Sequence, residues 1–135
     1  MAPKFLKIGI LSKKEYRKRT IAIAKGDYRP RRNEPKVWLE SMQSMAQILS
    51  SKNQELLRII QKHQPSSLKE LEQISGRKRS NLSRTLKTMS RYGIVDLVKN
   101  NRMVKPVVKA TEFSVELVLD AFQDDESSGK SQERS

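Results

Sequence analysis

Arg77, Lys78, Arg79, Ser80, Asn81, Ser83, Arg84, Lys87 and Arg91 lie together in residues 77–91. Guanidinium groups offer a planar fork of donors that fits paired acceptors on a phosphate or a guanine edge. An Asn carboxamide carries the donor and acceptor that match adenine, while Ser hydroxyls and Lys ammonium groups suit phosphate oxygens. This is the chemistry of recognition rather than of bond-making. A smaller set of the same kind, Lys99, Asn100, Asn101 and Arg102, follows a few residues later.

Catalytic chemistry needs a constellation, and the sequence offers none. There is no phosphate-cradling glycine loop, no HExxH and no pair of carboxylates beside a base. The 135 residues contain no Cys and one histidine, His63, which cannot build a metal site alone and is assigned to packing. Asp96, Glu70 and Glu72 are expected to be surface or capping carboxylates. The chain is therefore expected to be no enzyme and to hold no cofactor or metal.

The cationic stretch needs a rigid support, and the flanking pattern provides one. Ser67 with Glu70 forms a capping box, and Leu68, Leu71 and Ile74 recur at helical spacing behind it. Ser75-Gly76-Arg77 breaks that helix, because glycine accepts the left-handed conformation of a C-cap. In a second helix, residues 78–92, Leu82, Leu86 and Met89 share one face. At about 100° per residue, Ser80, Arg84, Lys87 and Arg91 point the opposite way. Gly93 then turns the chain into a strand over residues 94–99, Asn100-Asn101 makes a tight turn, and residues 102–108 return. Pro106 cannot donate to a ladder, which suits an edge strand.

Upstream, residues 5–11 read as a strand, and Ser12 with Glu15 caps a helix that runs to Gly26. Its apolar stripe is expected to be Tyr16, Thr20, Ile23 and Ala24, with Lys14, Arg17, Lys18 and Lys25 pointing away. Residues 27–35 have the proline and charge of a connector. Residues 37–49 fit an amphipathic helix with Trp38, Met42, Met45 and Leu49 on one face. Ser51 and Gln54 cap the next helix, whose inner face is Leu56, Ile59, Ile60 and His63. Near the C-terminus Phe113, Val115, Leu117 and Leu119 alternate with polar residues, which argues for a strand able to pair with residues 5–11, with a helix over residues 115–122 as the alternative. Residues 123–135 are polar, net acidic and expected to be disordered.

Charge narrows the partner. The formal net charge is +13, which favours a polyanion. Residues 1–36 carry twelve Lys/Arg against three Asp/Glu, and residues 76–109 carry ten against one. Residues 37–75 are balanced at four of each, and residues 110–135 are acidic, with two against seven. No apolar run approaches the roughly 20 residues needed to cross a membrane, and no signal peptide is evident, so a cytoplasmic protein without a membrane partner is expected.

From residues 53 to 110 the sequence resembles the winged helix-turn-helix regulators of the MarR and ArsR kind. The resemblance rests on Ser80-Asn81-Leu82-Ser83-Arg84-Thr85-Leu86-Lys87-Thr88-Met89 followed by Tyr92-Gly93-Ile94-Val95. With residues 16–26, the chain is also similar to small archaeal and bacterial DNA-binding regulators, some of them antitoxin halves of toxin–antitoxin pairs. The thiolates of metal-sensing ArsR relatives have no counterpart here.

The resemblance implies a mainly α fold with a small β-hairpin wing (α+β). A winged helix-turn-helix over residues 37–122 would follow an N-terminal strand-helix extension over residues 1–36. It implies a homodimeric, sequence-specific regulator of transcription that binds double-stranded DNA. Arg79, Ser80, Asn81 and Arg84 would read bases, whereas Arg77, Lys78, Ser83, Lys87 and Arg91 would grip phosphates. Lys99, Asn100, Asn101 and Arg102 would touch the flanking backbone or minor groove from the wing tip. The alternatives are an antitoxin whose main task is to occupy a toxin, and a non-specific architectural nucleic-acid binder.

Overall fold

Two separate sets of apolar side chains decide where the chain condenses. The computed structural model describes residues 4–120. In order these form β1 (Phe5–Ile10), α1 (Lys13–Lys25), β2 (Val37–Leu39), α2 (Met42–Ile48), α3 (Ser51–His63), α4 (Leu68–Ser75), α5 (Arg79–Arg91), β3 (Val95–Asn100), β4 (Met103–Val108) and β5 (Glu112–Leu117). Five helices and five strands make this a mixed architecture compatible with α+β. Besides the expected hairpin and the strands expected near residues 5–11 and 113–119, it contains one further strand, β2. Among the described residues no helix is long and apolar enough to cross a membrane.

The larger core gathers Leu56, Leu57 and Ile60 of α3, Leu71 of α4, Leu82, Leu86 and Met89 of α5, and Ile94 and Val95. The smaller one is Ile8, Ile10 and Leu39. Leu6, Ile48, Leu49, Tyr92 and Phe113 pack against both and join them into one body.

The smaller core lies on a three-stranded sheet of order β2-β1-β5, parallel throughout. Parallel neighbours need a crossover, and α1 supplies the one between β1 and β2. Ser12 accepts the Glu15 N–H at its start, and Gly26 ends it at φ 82°. β5 returns from the far end of the described chain to pair with β1 along its whole length, Phe5 opposite Glu112 and Ile10 opposite Leu117. Residues 5–10 are therefore the central strand of the sheet, and the basic N-terminal segment is built into the fold rather than appended to it.

Several local expectations are corrected. Residues 37–49 do not form one helix. Val37, Trp38 and Leu39 pair with β1, and Leu11 N–H donates to Leu39 O at 2.9 Å. Ser41 then caps α2 by accepting the Ser44 N–H at 3.0 Å. An available partner strand outweighs helical periodicity in so short a segment. The cap of α3 is Ser50 rather than Ser51, and the Gln54 side chain instead donates to Leu49 O. His63, expected to pack, is exposed at the end of α3. The disorder expected for residues 123–135 concerns a segment outside the described residues.

The buried face of α1 also differs from the expected stripe. Arg19 and Ala22 are buried, whereas Tyr16, Thr20 and Ala24 are exposed. The Arg19 guanidinium pairs with Glu34 at 3.0 Å and stands 5.0 Å from the Trp38 ring and 6.0 Å from that of Tyr28. Pairing and cation–π contact make a charged side chain a core element, which apolar periodicity alone cannot reveal. Residues 27–35 do connect α1 to β2, but Glu34 fastens them down: its carboxylate accepts bonds from both Arg19 and Tyr28. Burial alone would raise the Glu34 carboxyl, but those two bonds and the Arg19 charge outweigh it and hold it below the usual range. Across the sheet from Trp38 stands Gly9. A Cβ there would lie 2.4 Å from the Trp38 ring and 3.0 Å from Pro35.

Two tests follow from this corner of the fold. Gly9→Ala must push aside a ring already held by Arg19 and crowd Pro35 as well, and should lower the stability read by urea denaturation by about 1–3 kcal/mol. The depressed Glu34 carboxyl stabilises the fold fully above its unfolded value near 4.5, and that contribution disappears as pH falls through the lower, folded value. Glu34→Gln should therefore destabilise the protein at neutral pH and flatten the acid limb of a stability–pH profile.

Candidate nucleic-acid interface

The elements α4 and α5 are set by short-range bonds that the sequence specifies. Ser67 accepts the Glu70 N–H at 3.1 Å. Glu70 reaches back to the N–H and hydroxyl of Ser66 at 3.0 and 2.8 Å, and both bonds lower its carboxyl pKa. Gly76 at φ 74° ends α4. The next helix has no side-chain cap at Lys78. Instead Glu72 of α4 accepts the Arg79 N–H at 3.2 Å and places a carboxylate at the positive end of α5.

Arg77, in the turn, holds α5 in register with α3. Its guanidinium donates to Asn81 Oδ1 at 2.7 Å, Asn53 Oδ1 at 3.1 Å and Thr85 Oγ1 at 3.2 Å. Asn53 in turn donates to the carbonyls of Gln47 and Ile48 at the end of α2. Burial lowers the Arg77 pKa from its ordinary value, and the three acceptors offset the loss of water.

With this support, α5 divides cleanly. Leu82, Leu86 and Met89 are fully buried at 0%. Ser80, Arg84, Lys87 and Arg91 are exposed on the opposite side, and Lys78 and Arg79 are exposed at the start. Ser83 and Asn81 lie half-buried along the flanks. Arg79 is tied to Glu72 at 3.4 Å. Of the thirteen cationic and polar residues singled out in the sequence, Arg77 and Asn81 thus spend bonding capacity on each other.

The chain leaves α5 through Gly93 at φ 78°, with Ile94 N–H returning to Met89 O at 2.9 Å. β3 and β4 pair antiparallel from Val95–Val108 to Asn100–Met103, and Asn101 takes φ 60° in the turn. Lys99, Asn100, Asn101 and Arg102 are exposed at that tip. Six residues of strand put the tip about 20 Å from the end of α5. The structure thus presents two separated cationic surfaces on one rigid frame.

Sequence reasoning missed one residue here. Lys52, at the start of α3, joins Arg77, Lys78, Ser80, Asn81 and Arg84 around a cleft of about 630 Å³ beside the N-terminal half of α5. Its position two residues after the true cap, Ser50, is the signal that would have placed it. Among the described residues no three His, Cys, Asp or Glu side chains are grouped to hold a metal ion.

Removing the Arg77 side chain would leave three half-buried acceptors without their donor. Arg77→Ala should destabilise the protein by about 2–4 kcal/mol in urea denaturation. Arg77→Lys should recover little of this, since one ammonium cannot span Asn53, Asn81 and Thr85 together.

A family model described as HVO_A0114 matches residues 48–115. The match takes in α3, α4, α5, the hairpin and the first part of β5. No curated protein and no solved structure matches the chain. With half of its residues covered by that model, the chain belongs to the HVO_A0114 family.

Proposed function

We propose that the protein is a sequence-specific, double-stranded DNA-binding regulator of transcription, a winged helix-turn-helix of the MarR and ArsR kind that acts as a homodimer. The observation that carries this reading is the division of α5, buried to 0% at Leu82, Leu86 and Met89 and cationic and exposed opposite them. A helix so anchored can enter a major groove without loosening its own core. The β3–β4 hairpin is the wing, with Lys99, Asn100, Asn101 and Arg102 on the flanking backbone or minor groove. The net charge of +13 supplies the electrostatic share of affinity.

Within α5 the roles divide by what each side chain already holds. Ser80 and Arg84 face outward and are the leading base readers, with Arg84 suited to guanine. Arg79 and Asn81 reach bases only by exchanging their bonds to Glu72 and Arg77. Lys78, Ser83, Lys87 and Arg91 grip phosphates, and Lys52 extends that grip beside the helix start. Arg77 is a positioning residue. A two-fold dimer would set half-sites about one helical turn apart.

The test is fluorescence anisotropy on the DNA upstream of the protein's own gene and on a scrambled duplex, over a salt series. Upstream DNA should bind roughly a hundredfold tighter near physiological salt. Arg84→Ala should narrow that gap by about 1–3 kcal/mol. Lys87→Ala should weaken both duplexes alike and reduce the salt slope by about 1. Equal affinities for both duplexes, falling together with salt, would replace this reading with the non-specific architectural one.

A further inference from the structure

We infer that the connector between α1 and β2 is a second phosphate-gripping surface for duplex DNA, separate from α5. Its grip is carried by Arg29, Arg31 and Arg32, three guanidinium groups within four residues.

A charged run of this kind is ordinarily a solvated linker, but this one is fastened at several points. The N–H groups of Asp27 and Tyr28 both donate to Ala22 O, at 2.8 and 3.2 Å. The Glu34 carboxylate accepts from Arg19 and Tyr28, and the Glu34 N–H closes a turn onto Arg31 O at 3.3 Å. Lys7 Nζ donates to Asn33 O at 2.6 Å, and Pro35 is buried beside Gly9. Pro30 fixes a further backbone angle between the arginines. The segment is thus held against α1 and β1 while Arg29, Arg31 and Arg32 stay exposed. Ordering their backbone in advance lowers the entropy lost when a partner binds.

The charge balance says what that partner carries. Residues 25–36 hold five Lys/Arg against two Asp/Glu. Glu34 is spent on Arg19, which leaves Asp27 as the exposed carboxylate of the segment. Lys25, Arg29, Arg31, Arg32 and Lys36 are exposed and enter no ion pair among the described residues. Like charges held together repel until a counter-charge arrives, and planar guanidinium forks suit paired phosphate oxygens. The aromatic ring of the segment, Tyr28, is engaged with Arg19 and Glu34. It gives a splayed base little to stack on, so the surface suits a duplex backbone rather than a single strand.

Position separates this surface from α5. Tyr92, where α5 ends, lies beside Lys13 and Tyr16 at the start of α1. The connector leaves the other end of that 13-residue helix, about 20 Å further on. At about 3.4 Å per base pair, a duplex touching both must run about six base pairs past the end of α5.

The inference rests on duplex DNA as the partner but not on base reading by α5, and its test separates the two. Fluorescence anisotropy of the full-length protein is followed on a scrambled duplex of about 24 base pairs over a salt series. Combining Arg29→Gln, Arg31→Gln and Arg32→Gln should reduce the salt slope by about 3 and weaken binding at least about tenfold near physiological salt. Combining Lys4→Gln, Lys62→Gln and Lys109→Gln removes the same charge from exposed positions elsewhere, and should change the slope by less than about 1. An unchanged slope in the arginine variant, or equal losses in the two triple variants, would overturn the inference. So would a larger loss on single-stranded RNA of the same length. If Lys87→Ala still lowers the slope by about 1 in those cases, the α5 reading stands without the connector. A silent Lys87→Ala beside the full arginine loss would leave the connector surface standing and remove α5.

Discussion

One guanidinium sets the geometry on which the cationic surface depends. Arg77 sits in the turn between α4 and α5 and bonds at once to Asn53 of α3 and to Asn81 and Thr85 of α5. Apolar burial alone fixes which face of α5 points inward, but it is tolerant of sliding and rotation. Three directional bonds from a planar group fix the helix along its axis as well. The cost of burying the charge is visible in the lowered Arg77 pKa, and it is offset because each acceptor is itself held by the frame. Asn53 is the clearest case, since its amide also closes the end of α2.

The N-terminal half plays a matching part at the other end of α5. Its sheet meets the helical core through Leu6, Ile48, Leu49, Phe113 and Tyr92, and Tyr92 is also the residue at which α5 ends. The helix is therefore gripped at its start by a polar network and at its end by an apolar joint. Between these two holds its outward side chains are free to meet a partner. The joint also brings the basic N-terminal segment alongside, so the two cationic regions of the sequence belong to one body. Arg19 shows how such a segment can be built inward: buried against Trp38 and Glu34, it removes one charge from the surface and anchors the connector that carries Arg29, Arg31 and Arg32.

Much of this was legible in the residues, and the reason is locality. Caps at Ser12 and Ser67, left-handed stops at Gly26 and Gly76, and the Leu82-Leu86-Met89 stripe are encoded within a few residues of where they act. The hairpin and its Asn101 turn are equally local. What escaped depended on partners distant in sequence. Val37, Trp38 and Leu39 are a strand only because β1 is there to receive them. Arg19 is buried only because Glu34 and Trp38 close over it. Tyr16 and Thr20 fit an apolar stripe by spacing, yet they line an open cleft. Within the candidate interface the types and exposure of Ser80, Arg84, Lys87 and Arg91 were readable from periodicity, whereas the inward bonds of Arg77 were not, since neither Asn53 nor Thr85 announces its distance from the turn.

The most direct test of the proposed function is whether DNA perturbs the protein, and where. Backbone amide shifts would be recorded for the full-length chain as the duplex from upstream of its own gene is added. The account predicts the largest changes at Ser80, Arg84, Lys87 and Arg91 and at the hairpin tip from Lys99 to Arg102, with the buried face of α5 unmoved. Changes centred on α1 and the 27–35 connector, with α5 silent, would contradict it and move the interface to the N-terminal basic segment.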